Sequence, residues 1–203
     1  MGVGEMENPF VSRGGLKLWH ALLEFAVDVR GLRCVDFGAN VGGFTDALLR
    51  GGAAHVTAID TGYGTLAWKL RTDARVLVRE RTNAIHVPAP GAGERADLVV
   101  MDMGWTVQRL CVPAALGWLR PGGRIITLIK PHYEVGAGEK GLLVEGVLAR
   151  GEAERVVARV LGAMPALGVR VLAQTQSPIV GGKTKGNAAG NHEWLALLGA
   201  GRG

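Results

Sequence analysis

The 203-residue chain is 48% apolar and 20% charged, with a net charge of +5, which suits one folded domain with a full-sized core and excludes a disordered or fibrous chain. No apolar stretch is long enough to cross a membrane, and the first residues lack the basic and apolar regions of a signal peptide. The sequence therefore predicts a cytoplasmic protein whose modest positive charge fits a polyanionic partner.

Asn8-Pro9 marks a turn, and Ser12 is the expected cap of a first helix. Its apolar face, Leu16, Leu18, Trp19, Leu22 and Leu23, leads to an end near Arg30. Four short apolar runs further along each stop on a charge: Leu32 to Asp36, His55 to Asp60, Ala96 to Asp102, and Arg124 to Lys130. Runs of this length, rich in Val and Ile and separated by helical patterns, read as buried parallel strands. Between them the sequence predicts helices over about 42–50 and 65–71, a short strand over 76–78, and a helix ending near Leu119. Pro121-Gly122-Gly123 turns into the fourth of these runs, and a Gly-rich loop spans 135–141. A helix over 152–164 follows, then strands over 169–173 and 193–198. Strands and helices alternate without a linker, which predicts one doubly wound α/β domain over 1–203 with a short N-terminal extension, 1–11.

In an open α/β sheet, ligands bind beyond the carboxyl ends of the strands. Charges at four such ends are more than solubility requires, although polarity returns at any strand end. The turn after the first strand reads Asp36-Phe-Gly-Ala-Asn-Val-Gly-Gly-Phe44. Gly38 permits a tight turn with close backbone approach to a ligand, and Gly42 and Gly43 open a helix whose N-terminus favours anionic groups. The spacing is not that of a dinucleotide site. Asp-x-Gly-x-x-x-Gly instead suits S-adenosylmethionine, with Asp36, Gly38, Gly42, Gly43 and Phe44 as cofactor-binding candidates. Asp60 either accepts from both ribose hydroxyls or caps its own Thr61-Gly62-Tyr63-Gly64 turn. Asp102 and Lys130 end strands expected to be neighbours. They form either a working pair, Asp102 also reaching the cofactor, or a structural salt bridge at the sheet edge. A Lys base needs burial or a second cation to lower its pKa; Lys17 is the candidate cation, and Glu193 the carboxylate that orients both amines.

Basic residues gather at Lys69, Arg71, Arg75, Arg79 and Arg81, which a solvated helix face explains equally well. Lys183 and Lys185 lie among glycines and suit phosphate contacts, with Arg13 as a second basic wall. Cys34 and Cys111 read as reduced core thiols, and the five His residues show no ligand spacing, so no metal site is expected.

These residues carry a family resemblance. Ser12-Arg-Gly-Gly-Leu-Lys17-Leu, the Asp36 to Asp46 turn, Asp60 to Arg71, Glu80-Arg-Thr-Asn83, Leu128 to Glu134, Ser177-Pro178 and Gly190-Asn-His-Glu193 resemble the TlyA, or haemolysin A-like, branch of FtsJ/RrmJ-type methyltransferases. The match runs from about residue 11 to 198. It implies a Rossmann-like class I methyltransferase domain, with a mostly parallel seven-stranded sheet and helices on both faces. It also implies S-adenosylmethionine as cofactor and RNA as partner, ribosomal RNA or a ribosomal particle. Methylation of ribose 2′-hydroxyls would fall to a Lys-Asp-Lys-Glu tetrad: Lys17, Asp102, Lys130 and Glu193. Three departures stand out. Only about ten residues precede the Ser12 motif, where the family usually carries an S4 RNA-binding domain, so none is expected here. Met103-Gly104-Trp105 replaces a Ser-Phe pair after the motif aspartate and is expected to reshape the acceptor pocket. The 180–190 loop is longer than the family's, its two Lys standing in for lost RNA contacts. Two further readings stay open: a methyltransferase of a small hydroxylated substrate, and a non-catalytic RNA-binding or ribosome-assembly factor.

Overall fold

The computed structural model describes residues 8–182 and 190–201. Among them, seven strands form one sheet: β1 (Arg33–Phe37), β2 (His55–Ile59), β3 (Val76–Arg79), β4 (Ala96–Met101), β5 (Leu119–Ile129), β8 (Val169–Gln176) and β9 (Trp194–Ala200), in the order β3-β2-β1-β4-β5-β9-β8. The first five pair in parallel, while β9 runs antiparallel to both β5 and β8. That reversal matters for the site. It brings the start of β9, just after Glu193, to the edge where β4 and β5 end.

Helices cover both faces, as the alternating pattern predicts. On one side α1 (Gly14–Glu24), α2 (Gly43–Arg50) and α3 (Trp68–Arg71) pack Leu18, Leu22, Phe44, Leu48 and Leu70 against Val56, Leu98 and Ile126 of the sheet. On the other, α4 (Gln108–Trp118) and α6 (Arg150–Ala163) pack Cys111, Val112, Trp118, Val156 and Val160 against Val35, Val99 and Ile125. Cys34 and Cys111 are free, buried thiols, and burial pushes both up to about 12. Among the described residues, no helix is long and apolar enough to cross a membrane.

Several expected boundaries move. α1 stops at Glu24, short of Arg30, because Ala26 turns left-handed at φ 49°. Val27 N–H then reaches back to Leu22 C=O at 2.9 Å and Ala26 N–H to Leu23 C=O at 3.1 Å, which is a Schellman closure. Ser12 does not cap the helix. The N-cap is Arg13, with no side-chain cap, and Ser12 offers its carbonyl to Gly15 N–H. The region expected as a helix over 65–71 holds a single turn. Leu119 already pairs with Ala96, and the register shift before Arg124 lets Pro121-Gly122-Gly123 bulge out of β5. Strand β1 runs one residue past Asp36, so Asp36 lies within the strand rather than ending it. After α5 (Pro131–Glu134) the chain forms a small hairpin, β6 (Leu143–Val144) and β7 (Val147–Leu148), absent from the expected elements. Its turn, Glu145-Gly146, has φ 49° and 78°, both positive, as the tight two-residue hairpin turn requires.

Candidate active site

Strands β1, β2, β4 and β5 end at Phe37, Ile59, Met101 and Ile129, so Gly38, Asp60, Asp102 and Lys130 are the first residues beyond the sheet. All four line one cavity of about 630 Å³. Gly38 is confined to glycine twice over. Its φ is +83°, and a Cβ there would stand 2.7 Å from the Asp102 carbonyl oxygen. The turn is fixed by Gly38 and Ala39 N–H groups donating to Ile59 C=O at 2.9 and 3.1 Å. Gly42, at φ +101°, faces the other way: a side chain would run into Leu66 and Leu70. It shapes the turn and lets α3 pack closely, without lining the cavity. Gly43 and Phe44 do line it, where the N-terminus of α2 meets α1.

Asp60 has both oxygens engaged by its surroundings. Oδ1 accepts from Gly62 N–H at 2.7 Å and Oδ2 from Asn40 N–H at 2.8 Å. The cap reading of Asp60 thus describes its contacts, yet the carboxylate still faces the cavity and each oxygen keeps a lone pair for a ligand hydroxyl. Glu80 braces the same turn by accepting from Gly64 N–H at 3.0 Å and pairing with Arg71 at 2.5 Å. The Gly64 amide, with Arg71 behind it, holds its carboxyl below the ordinary range. No site role was expected of Glu80; its only signal was its place in the resembling motif.

At the opposite end, four distant residues form two ion pairs. Lys130 Nζ meets Asp102 Oδ1 at 2.5 Å, and Lys17 Nζ meets Glu193 Oε2 at 2.5 Å. The Lys130–Asp102 side chains are 16% and 23% exposed, and those of Lys17–Glu193 are 10% and 3%. Lys17, Asp102 and Lys130 line the cavity, and Glu193 stands behind Lys17. Burial alone would lower the Lys130 ammonium. Asp102, then Glu193 and Tyr133, outweigh it and hold it above its ordinary value. The sequence analysis required burial or a second cation, Lys17, to lower the Lys130 pKa before it could serve as a base; the nearby carboxylates dominate instead and keep it charged. Burial pushes the Glu193 carboxyl up against the pull of Lys17 and Lys130. His132, unforeseen in the sequence, is pulled down to about 4 by burial and by the two lysines, so it is neutral at physiological pH.

Asp36 does not reach the cavity. It is fully buried on the α2 face of β1, where Oδ2 accepts from Thr45 Oγ1 at 2.7 Å and Oδ1 has no hydrogen-bond partner among the described residues. Strand alternation explains this: a residue inside β1 must face one helix layer. Arg13 lines the cavity and donates to Val180 C=O at 2.8 Å, tying α1 to the segment after β8. Val180 and Gly182 reach the cavity wall, and Gly181 is packed so closely that a Cβ would lie 2.6 Å from Glu193 Oε1. Lys183 and Lys185 lie outside the described residues. In the other basic cluster, Lys69, Arg71 and Arg75 are paired with Asp46, Glu80 and Asp73, which favours a solvated structural face.

The family described as FtsJ-like methyltransferase matches residues 10–178. The chain is 49% identical over 139 residues to the 16S/23S rRNA (cytidine-2′-O)-methyltransferase TlyA of Mycobacterium tuberculosis, covering 68% of this chain and 52% of TlyA. It therefore spans about half the length of that relative. Hemolysin A of Brachyspira hyodysenteriae is 34% identical over 190 residues, covering 92% of this chain and 75% of that protein. A solved structure of a hemolysin-named protein from Streptococcus thermophilus superposes with a TM-score of 0.87 at 34% identity, over 98% of this chain and 69% of that one. The sheet order, the Gly38 turn and these matches agree: the chain belongs to the FtsJ-like methyltransferase family.

Proposed function

We propose that this protein transfers a methyl group from S-adenosylmethionine to ribose 2′-hydroxyls of RNA, with ribosomal RNA as the substrate class. One observation carries the reading. Two Lys–carboxylate pairs, drawn from four separate elements, converge at one end of a cavity whose other end is the Asp60 turn, with the Gly38 turn between them. The cavity volume suits a cofactor of this size, and the donor set fits its groups. Asp60 would hold the ribose hydroxyls, while the backbone from Gly38 to Asn40 and the start of α2 would meet the amino-acid moiety. When bound, the cofactor supplies a methyl group made electrophilic by a positive sulfur. The chain's own residues supply position and charge. The Lys130 ammonium would donate to the acceptor oxygen, fix its orientation and steady the negative charge it gains as its proton leaves. That proton would pass to Asp102, the carboxylate paired with Lys130, as the oxygen takes the methyl group and the methyl–sulfur bond breaks to leave a neutral thioether. Lys17–Glu193 holds Lys130 from behind by charge.

Incubation with labelled cofactor and total RNA, followed by digestion to nucleosides, tests the reading. Label should appear in a 2′-O-methylated nucleoside. Label confined to a base, or found only on small hydroxylated molecules, would replace this function with another transfer reaction.

A further inference from the structure

The ladder between β4 and β5 stops short of the ion pair that follows it. Its last register partners are Met101 and Thr127, so Asp102 and Lys130 both lie beyond it. Asp102 is tied to β1, by its N–H donating to Phe37 C=O at 3.1 Å, while β5 runs on beside β9 as far as Ile129 opposite Trp194. The two loops are joined instead through Gln108, the first residue of α4. Its N–H donates to Glu134 Oε1 at 2.7 Å, on the Lys130 side. Its buried side chain grips β5: Nε2 donates to Leu128 C=O at 3.2 Å, and Oε1 accepts from Thr127 Oγ1 at 2.8 Å. Helix stability alone does not account for this arrangement. Val107, the N-cap of α4, offers no side-chain acceptor, so the helix takes its cap from the other loop. Burial pushes the Glu134 carboxyl up even against the Gln108 amide and the Arg159 and Arg109 charges. A serine or threonine in the N-cap position would satisfy the same amide without burying a carboxylate. The distant cap does something a local one could not. It closes a ring from Asp102 along the chain to Gln108, across to Glu134, back to Lys130, and across again to Asp102 at 2.5 Å. Helix α6 fastens the ring, with Arg159 Nη2 donating to Glu134 C=O at 2.8 Å.

We infer that Gln108 and Glu134 are positioning residues, a strut between the two loops that holds Asp102 and Lys130 in register with each other for methyl transfer. The inference rests on the methyl-transfer reading above and adds to it what sets the geometry of the charged pair. The strut touches neither cofactor nor acceptor and works only through Lys130 and Asp102. Transfer needs the acceptor oxygen held by both groups at once, and small displacements of either are costly in rate.

Single-turnover methylation of unmodified ribosomal RNA, with cofactor affinity from calorimetry, tests this. Glu134→Ala should slow the transfer step by about 10–100-fold, as a misplacement of about 1 Å does, with S-adenosylmethionine affinity unchanged. Glu134→Gln keeps an oxygen acceptor for the Gln108 amide and should recover most of the rate. In a Lys130→Ala background, Glu134→Ala should cost almost nothing more, because no ammonium is left to position. The strut is overturned by a Glu134→Ala variant with the wild-type rate, or by one that slows Lys130→Ala by the same factor as wild type. Should Glu134→Ala not fold, Gln108→Met carries the same test, since it fills similar space and drops the bonds to Thr127 and Leu128. If the wild type methylates no RNA, the functional reading fails and NMR of labelled lysine still decides the strut. Burial pulls the Lys130 ammonium down and Asp102 holds it up. Glu134→Ala should therefore let it titrate lower than in wild type, and an unchanged titration overturns the strut.

Discussion

The two ends of the cavity are made by opposite means. The glycine-turn end is built from backbone: Gly38 lies against the Asp102 carbonyl, and both Asp60 oxygens are held by amides of its own and the adjoining turn. The ion-pair end is built from side chains brought from α1, β4, β5 and the residue before β9, and Lys17 and Glu193 are 176 positions apart. One end is encoded by neighbours in sequence, the other by sheet topology. The first should respond to substitution through geometry and ligand affinity, the second through charge balance.

The sharpest attack on that contrast is at Glu193. Removing one partner of a nearly buried pair leaves an uncompensated charge, so Glu193→Ala should lower unfolding free energy by about 3–5 kcal/mol. Replacing the pair together, Lys17→Met with Glu193→Leu, should restore most of that stability while activity stays lost. Denaturant titration reads both, and a single substitution costing under about 1 kcal/mol would show that the pair is not held as a charge-balanced unit. At Lys130 the expected effect is on rate. Lys130→Ala should reduce turnover by about 10²–10³-fold, the scale of one lost oxyanion donor. Because the carboxylates keep Lys130 charged, it acts as a donor rather than a base. Lys130→Arg should therefore keep far more activity than Ala. Equal loss in both variants would make Lys130 the base.

The same contrast explains what the sequence disclosed. Gly38, Asp60, Asp102 and Lys130 were legible because an apolar run followed by a polar residue marks the end of a buried parallel strand. Lys17 and Glu193 carry no such mark: they were named as second cation and orienting carboxylate and by the family resemblance, and only the reversal of β9 shows how they meet. The early end of α1 was hidden because alanine, not glycine, takes the left-handed closing position at residue 26. Asp36 was placed in the site because its strand was read one residue short. Once Phe37 belongs to β1, alternation turns Asp36 into the α2 layer. Met103-Gly104-Trp105 stood out in the sequence only as a departure from the family pattern; that all three line the cavity needed coordinates.

That misplacement of Asp36 has a pH signature. Burial pushes its carboxyl from an ordinary 3.8 up to about 7, with Thr45 opposing and Asp102 and Asp60 adding to the rise. The folded state therefore holds a proton that the unfolded state has released. Stability is fully present below about pH 4 and falls as pH rises toward about 7. Asp36→Asn keeps an acceptor for Thr45 and cannot ionise, so it should remove this slope. Between about pH 5 and about pH 8, the wild type should lose more than about 1 kcal/mol relative to the variant. Parallel stability curves for the two proteins would mean that Asp36 is ionised throughout.

The smallest expected effect, at Asp60, separates bracing from binding at the glycine-turn end. Asp60→Ala should weaken S-adenosylhomocysteine about tenfold, the worth of one or two hydrogen bonds. The weakening has two sources, because the substitution also releases Gly62 and Asn40 N–H groups. A cycle with a second ligand distinguishes them. An analogue without the two ribose hydroxyls cannot donate to Asp60. If the carboxylate reads those hydroxyls, calorimetry should find that this analogue binds wild type and variant equally, already weakened. If Asp60 serves only to hold the turn, both ligands should lose the same factor in the variant. The two outcomes predict different coupling, near the full tenfold in one case and none in the other. The first would make this backbone-built end of the cavity depend on a side chain for affinity as well as for shape.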